Sequence, residues 1–189
     1  LVPMVESKYS LLNCFEMFDK FLPLFKDLTN TPKLFINIES QLALKNIDSI
    51  LKLIEDENLP VDTLVIGRSD LCKSLMITDV DNGKMLQICI ELLSKKGNLN
   101  VTLGGNLMNK SFSFIRNLSK KGLYAFESRK CTFKTKVLLK KNDFYSLINS
   151  ALEFELSWLN CKKHLYGDRS QEENLRIKTI ESRLKNPIL

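Results

Sequence analysis

Leu64-Val-Ile-Gly-Arg-Ser-Asp-Leu71 decides the fold, because a short continuous apolar run passes at once into glycine and polar residues. Such a run without inside/outside alternation is a strand covered on both faces, as in a parallel sheet. Moving outward, the same switch recurs. Val2-Pro-Met-Val5 ends at Glu6, Leu34-Phe-Ile-Asn-Ile38 at Glu39, Val101-Thr-Leu103 at Gly104-Gly105, and Leu123-Tyr-Ala-Phe126 at Glu127. The strand starts at 2, 34, 64, 101 and 124 are spaced close to the roughly 30 residues of a βαβ unit. Helical periodicity fills the gaps. Leu11, Phe15, Phe18 and Leu22 share one face of residues 8–22, and Ala43, Ile47, Ile50, Leu51 and Ile54 share one face of 41–57. Further helices are expected over about 84–96, capped by Gly97, over 110–121, and over roughly 143–161.

Two architectures compete for this alternation. A doubly wound sheet needs a glycine-rich phosphate turn after its first strand, and Val5-Glu6-Ser7 offers none. A TIM (β/α)8-barrel places polar residues at the C-terminal ends of successive strands, where its active face lies, and that is the pattern here. A whole barrel takes about 250 residues. With 189 residues and five strands the chain reads as about five C-terminal β/α units, the first units being truncated or supplied by another polypeptide. Residues 1–161 form the partial barrel. Residues 162–189 are a polar extension, with Gly167, Asp168 and an Ile177, Ile180, Leu184 stripe that suggests a helix docking on a neighbour. The edges at Val2–Val5 and Leu123–Phe126 would be unpaired, so a homo-oligomer or a missing N-terminal segment is expected to cover them.

The composition, 44% hydrophobic and 26% charged with eleven Phe, excludes disorder. No apolar run of about 18 residues is present, so no membrane span is expected. Leu1 to Val5 lack the basic region and length of a signal peptide, which predicts a cytoplasmic protein. Cys14, Cys72, Cys89, Cys131 and Cys161 are odd in number and without a C-x-x-C pair, so reduced thiols are expected, without structural zinc. Charge is asymmetric: residues 1–94 hold 9 Lys+Arg against 14 Asp+Glu, and residues 95–189 hold 19 against 8. A basic half can bind anions or nucleic acid, but no RNA-binding motif accompanies Phe112, Phe114 and Phe126, which read as core. Nucleic acid is not the expected partner.

Glu39 and Asp70 each follow a buried strand and lie one βα unit apart, so their carboxylates converge on adjacent strand ends. Paired carboxylates without His or Cys favour a hard cation, Mg2+ or Mn2+. The same positions also suit helix N-caps, with Ser40 another cap candidate. In Gly67-Arg68-Ser69, exposed backbone N–H groups could hold a carboxylate. Glu6, Glu127 and Arg129 end strands and read as barrel rim. His164, the sole histidine, reads as surface.

Pro3-Met-Val-Glu6-Ser7, Phe35-Ile-Asn-Ile-Glu39, and Gly67-Arg-Ser-Asp-Leu71 with Ser74-Leu75, in that order, resemble the HpcH/HpaI-type aldolase and citrate lyase β-subunit family over about residues 1–135. The resemblance implies a barrel that holds Mg2+ or Mn2+ through Glu39 and Asp70, with substrate on Gly67, Arg68 and Ser69. It implies a carbon–carbon lyase acting on a 2-oxo acid or acyl-CoA substrate through a metal-stabilised enolate. Many relatives have Pro where Arg68 stands and Gly where Met76 stands. No position matches the family's carbonyl-polarising arginine, so the catalytic residue is expected outside this chain. The alternatives are a non-catalytic barrel fragment serving assembly, or an anion binder using residues 110–141, where ten Lys/Arg accompany a single acid, Glu127.

Overall fold

A computed structural model describes residues 1–25, 32–137, 141–166 and 171–185. Its centre is a five-stranded sheet in the order β1 (Leu34–Ile38), β2 (Val61–Gly67), β3 (Asn100–Gly104), β4 (Ala125–Glu127) and β5 (Thr132–Lys134). The first four strands are parallel, and β5 returns antiparallel to β4. The crossovers carry α2 (Gln41–Lys45) and α3 (Ile47–Asp56), then α4 (Arg68–Ser74) and α5 (Gly83–Lys95), then α6 (Phe112–Ser119). Every crossover advances one strand the same way, so right-handed connections put these helices on one face. An open, mostly parallel sheet wound in this single direction is consistent with a segment of a barrel.

Strand alternation sorts the two faces. Ile36, Ile38, Leu64, Ile66, Val101, Leu103 and Phe126 are buried in the core with Ile50, Met85, Cys89 and Ile115 from the helices. Asn37, Glu39, Val65, Gly67, Gly104 and Glu127 lie on the opposite face, along a cavity. α1 (Lys8–Phe21) begins with a capping box in which Ser7 and Ser10 satisfy each other's backbone N–H.

Several elements depart from expectation. The Val2–Val5 segment runs beside β1 without forming a regular strand: it is bridged at Val2–Ile36 and bonded again from the Val5 N–H to the Asn37 carbonyl at 3.2 Å, with Met4 between them at a left-handed φ of 52°. The 41–57 helix is divided at Asn46, whose side-chain amide donates to the Glu6 carbonyl at 2.8 Å. The edge of β4 is not open: the turn at Ser128–Cys131 folds Thr132–Lys134 back along it. Strand β5 escaped notice because three residues of Thr-Phe-Lys carry no legible period. The last long helix, α7 (Lys141–Tyr166), runs without interruption through residues 161 and 162. It buries Phe144, Ile148, Leu152, Glu155 and Leu159 along one face. The Phe144 ring packs at a tilt against both Phe112 and Phe126, with centroids 5.6 Å apart in each pair. α8 (Gln171–Lys185) packs on α7 of the same chain with Ile180 fully buried, so the polar extension's stripe finds its partner within the molecule. Gly167 and Asp168 lie outside the described residues. No described helix is long and apolar enough to cross a membrane.

Candidate active site

Ile38 pairs with Ile66, Gly67 with Gly104, and Leu103 with Phe126, so the next positions along the sheet edge read Glu39, Gly67, Gly104, Glu127 in one register. Two glycines thus lie between two glutamates. A Cβ on Gly67 would stand 2.6 Å from Oε2 of Glu39, and one on Gly104 would stand 3.1 Å from Oε1 of Glu127. Both carboxylates therefore lean inward over bare backbone, which any side chain on the glycines would fill. Over this floor opens a cavity of about 550 Å³. Helix α4 adds Ser69, Asp70 and Lys73 and the loop after β3 adds Asn106, while α7 and α8 contribute Leu152, Arg176 and Arg183.

Glu39 is buried and fixed by two donors: the Met4 N–H to Oε1 at 3.0 Å and the Asn37 amide to Oε2 at 3.1 Å. Each oxygen keeps a second lone pair. The kink at Met4 is what turns its N–H onto the carboxylate. Asn37 Oδ1 is buried without a hydrogen-bond partner among the described residues and belongs to the same wall. Asp70 sits in the first turn of α4, 58% exposed, and pairs with Lys73 at 2.9 Å. Glu127 is desolvated, which pushes its carboxyl above the usual range, with only a 3.5 Å bond from Thr132 to oppose the effect.

The structure brings Glu39, Asp70, Gly67 and Ser69 to one cavity, but Arg68 turns away from it. Its fully buried guanidinium pairs with Asp81, donates to the carbonyls of Gly104 at 3.1 Å and Gly105 at 2.8 Å, and covers the Phe114 ring at 5.0 Å. Asp81 also accepts from Ser111 Oγ at 2.7 Å. Arg68 thereby ties together the loops that follow β2 and β3, and its side chain is a strut. Gly105, at φ 84°, packs on the start of α4: a Cβ there would be 2.5 Å from the Ser69 N and 3.0 Å from the Arg68 N. Only glycine leaves the space beside the Ser69 amide open. Arg129 pairs with Glu172 at 3.6 Å, and His164 is exposed near the end of α7. Glu6 is held through its backbone, its N–H donating to Ser10 Oγ at 3.3 Å and its carbonyl accepting from Asn46 at 2.8 Å.

Sequence reading missed Asn37, Asn106, Arg176 and Arg183. Asn37 was within reach, since residues two apart on a strand share a face and Glu39 was already placed. Arg176, Ile180 and Arg183 lie four and three residues apart, one helical face, but nothing in the sequence shows that this face meets the sheet.

The fold and site define a parallel α/β domain with a carboxylate-lined cavity at the C-terminal ends of its strands, the place where enzymes of such architecture bind ligands. The chain belongs to the HpcH/HpaI aldolase/citrate lyase family, whose family model matches residues 1–101. The family comprises aldolases and citrate lyases, and its members typically use divalent metals. Among solved structures the chain is similar to RipC from Yersinia pestis, at 17% identity and a TM-score of 0.48, covering 66% of this chain and 54% of that one. The chain thus spans about half the length of that structure. No functionally curated protein matches it.

Proposed function

We propose that this chain carries the metal-binding and substrate-binding half of a carbon–carbon lyase or aldolase of (β/α)8-barrel type, acting on a 2-oxo acid or acyl-CoA-type substrate. The observation that supports it is the placement of Glu39, Asp70 and Ser69 around one cavity whose glycine floor leaves room for a small ligand.

The residues present suit Mg2+ or Mn2+. Their donors are hard oxygens, one buried carboxylate has lone pairs to spare, and a buried amide oxygen of the same wall, on Asn37, has no partner among the described residues. Among the described residues no three carboxylate, His or Cys side chains converge, so Glu39 and Asp70 would hold such an ion with waters or substrate completing its shell. When bound, the ion supplies positive charge where a substrate carbonyl oxygen becomes negative. Asp70 gives up little to join it: an exposed Lys–Asp pair is worth about 0–1 kcal/mol. Glu39 is preset, because Met4 and Asn37 hold it before any ligand arrives. The Ser69 N–H and Oγ, beside Gly105, orient a substrate carboxylate. Leu152 covers part of the cavity and excludes water, which strengthens every charge interaction within it.

No residue here matches the family's carbonyl-polarising arginine, and the side chain nearest in sequence to the site, Arg68, is spent on Asp81. Binding therefore exceeds turnover in this chain. The test is pyruvate release from a 4-hydroxy-2-oxo acid with Mn2+: slow release that is lost in Asp70→Asn is expected. A rate no higher than that of Mn2+ in buffer would overturn the lyase reading.

A further inference from the structure

Among the described residues four cations line the cavity, and three are neutralised at their own positions. Lys73 pairs with Asp70 at 2.9 Å and Arg129 with Glu172 at 3.6 Å. Arg176 makes a bidentate pair with the buried Glu155, both bonds at 2.7 Å. Arg183 differs. Its hydrogen-bond partner among the described residues is neutral, the Asn106 side-chain oxygen at 2.6 Å, and no carboxylate within salt-bridge distance is found there. Partial burial and the neighbouring Arg176 press its pKa downward, and the Glu155 carboxylate, already held by both bonds of Arg176, opposes them from a distance, so this half-buried guanidinium has no carboxylate of its own. A guanidinium that faces a cavity with a neutral hydrogen-bond partner keeps its capacity to bind an anion.

We propose that Arg183 is an anion contact of the cavity: a carboxylate or phosphate group of the ligand replaces Asn106 on the guanidinium fork. The planar fork suits either group through two parallel bonds. Asn106 holds the place meanwhile, in a left-handed conformation of φ 49° directly after Gly105. Both residues lie beyond residues 1–101, so the contact belongs to the part of the chain outside the family match. It would add a second anionic end to the substrate class, reached from the helical wall instead of the sheet. The assignment rests on this cavity being the substrate site and requires no metal.

Succinate and inorganic phosphate serve as probes, titrated calorimetrically into the full chain with chelator present. Arg183→Gln should weaken whichever anion binds by about tenfold or more, since a charged hydrogen-bonded contact is removed. Asn106→Asp supplies an internal carboxylate and should weaken it similarly while leaving Arg183 in place. Tighter binding of succinate or of phosphate identifies the ligand's chemistry, and either upholds the contact. Anion affinity equal to wild type in both folded variants, or no binding of either probe at millimolar concentration, would overturn it. Mn2+ binding is measured separately. Loss of the metal in Asp70→Asn with anion affinity retained keeps both readings, whereas a chain that never binds Mn2+ but shows Arg183-dependent anion binding loses the lyase reading alone.

Discussion

The Glu39 carboxylate lies on the bare Cα of Gly67, so close that a Cβ there would stand 2.6 Å from Oε2 and 2.9 Å from the Glu39 Cβ. Swinging the carboxylate would relieve the first contact but not the second, which is at the root of the side chain. Gly67→Ala should displace Glu39 from the Met4 and Asn37 donors. Overpacking of this kind costs about 1–3 kcal/mol, readable in urea unfolding. Mn2+ affinity should fall with it, while Gly83→Ala, where an added Cβ meets nothing within 4 Å, serves as the control.

Glu127 mirrors Glu39 across the two glycines but is held above the ordinary glutamate value of 4.5 by burial. The folded state then keeps a proton that the unfolded chain has released. Stability is intact below the ordinary value and declines as pH rises through the raised one. Glu127→Gln cannot ionise and escapes that decline. Its stability relative to wild type should therefore grow with pH across this window, and unfolding curves that stay parallel would contradict the assignment.

Arg68 and Asp81 form a pair with both side chains nearly or fully buried. Arg68→Ala leaves Asp81 without its countercharge and frees the carbonyls of Gly104 and Gly105. Breaking such a pair from one side costs about 3–5 kcal/mol. Chemical denaturation checks this, and Arg68→Ala combined with Asp81→Ala should cost less than the two single changes added together.

Cysteine reactivity follows burial. Desolvation pushes the Cys89 thiol up to about 12 and raises Cys72 as well, so neither supplies thiolate at neutral pH. Exposed Cys161 should react with a thiol reagent first, half-buried Cys14 and Cys131 later, and Cys72 and Cys89 only on unfolding. Mass spectrometry of partly labelled protein reads the order.

The strands that carry the site were legible because continuous apolar runs such as Leu64-Val-Ile66 leave no second interpretation once their spacing is known. Glu39 and Asp70 were found for the same reason: each is the residue after, or four after, such a run. What failed was local geometry. Nothing in Val2-Pro-Met-Val5 announces a positive φ at Met4, and Arg68 looked like a ligand contact because the side chain that neutralises it, Asp81, lies thirteen residues away across a helix. The intramolecular seat of α8 was hidden by its polarity, since only Ile180 is fully buried. Arg183 became a site residue through tertiary packing alone.

Mn2+ binding to the wild-type chain and to Asp70→Asn, followed by electron paramagnetic resonance of the free ion, tests the central claim most directly. Asp70 is exposed enough that losing its charge leaves the fold unchanged, so circular dichroism should be identical for the two proteins. One bound Mn2+ per chain is expected for wild type, with affinity reduced at least about tenfold in the variant, the loss of one of two charged ligands. Equal Mn2+ affinity in the two proteins would contradict a metal centre at Glu39 and Asp70.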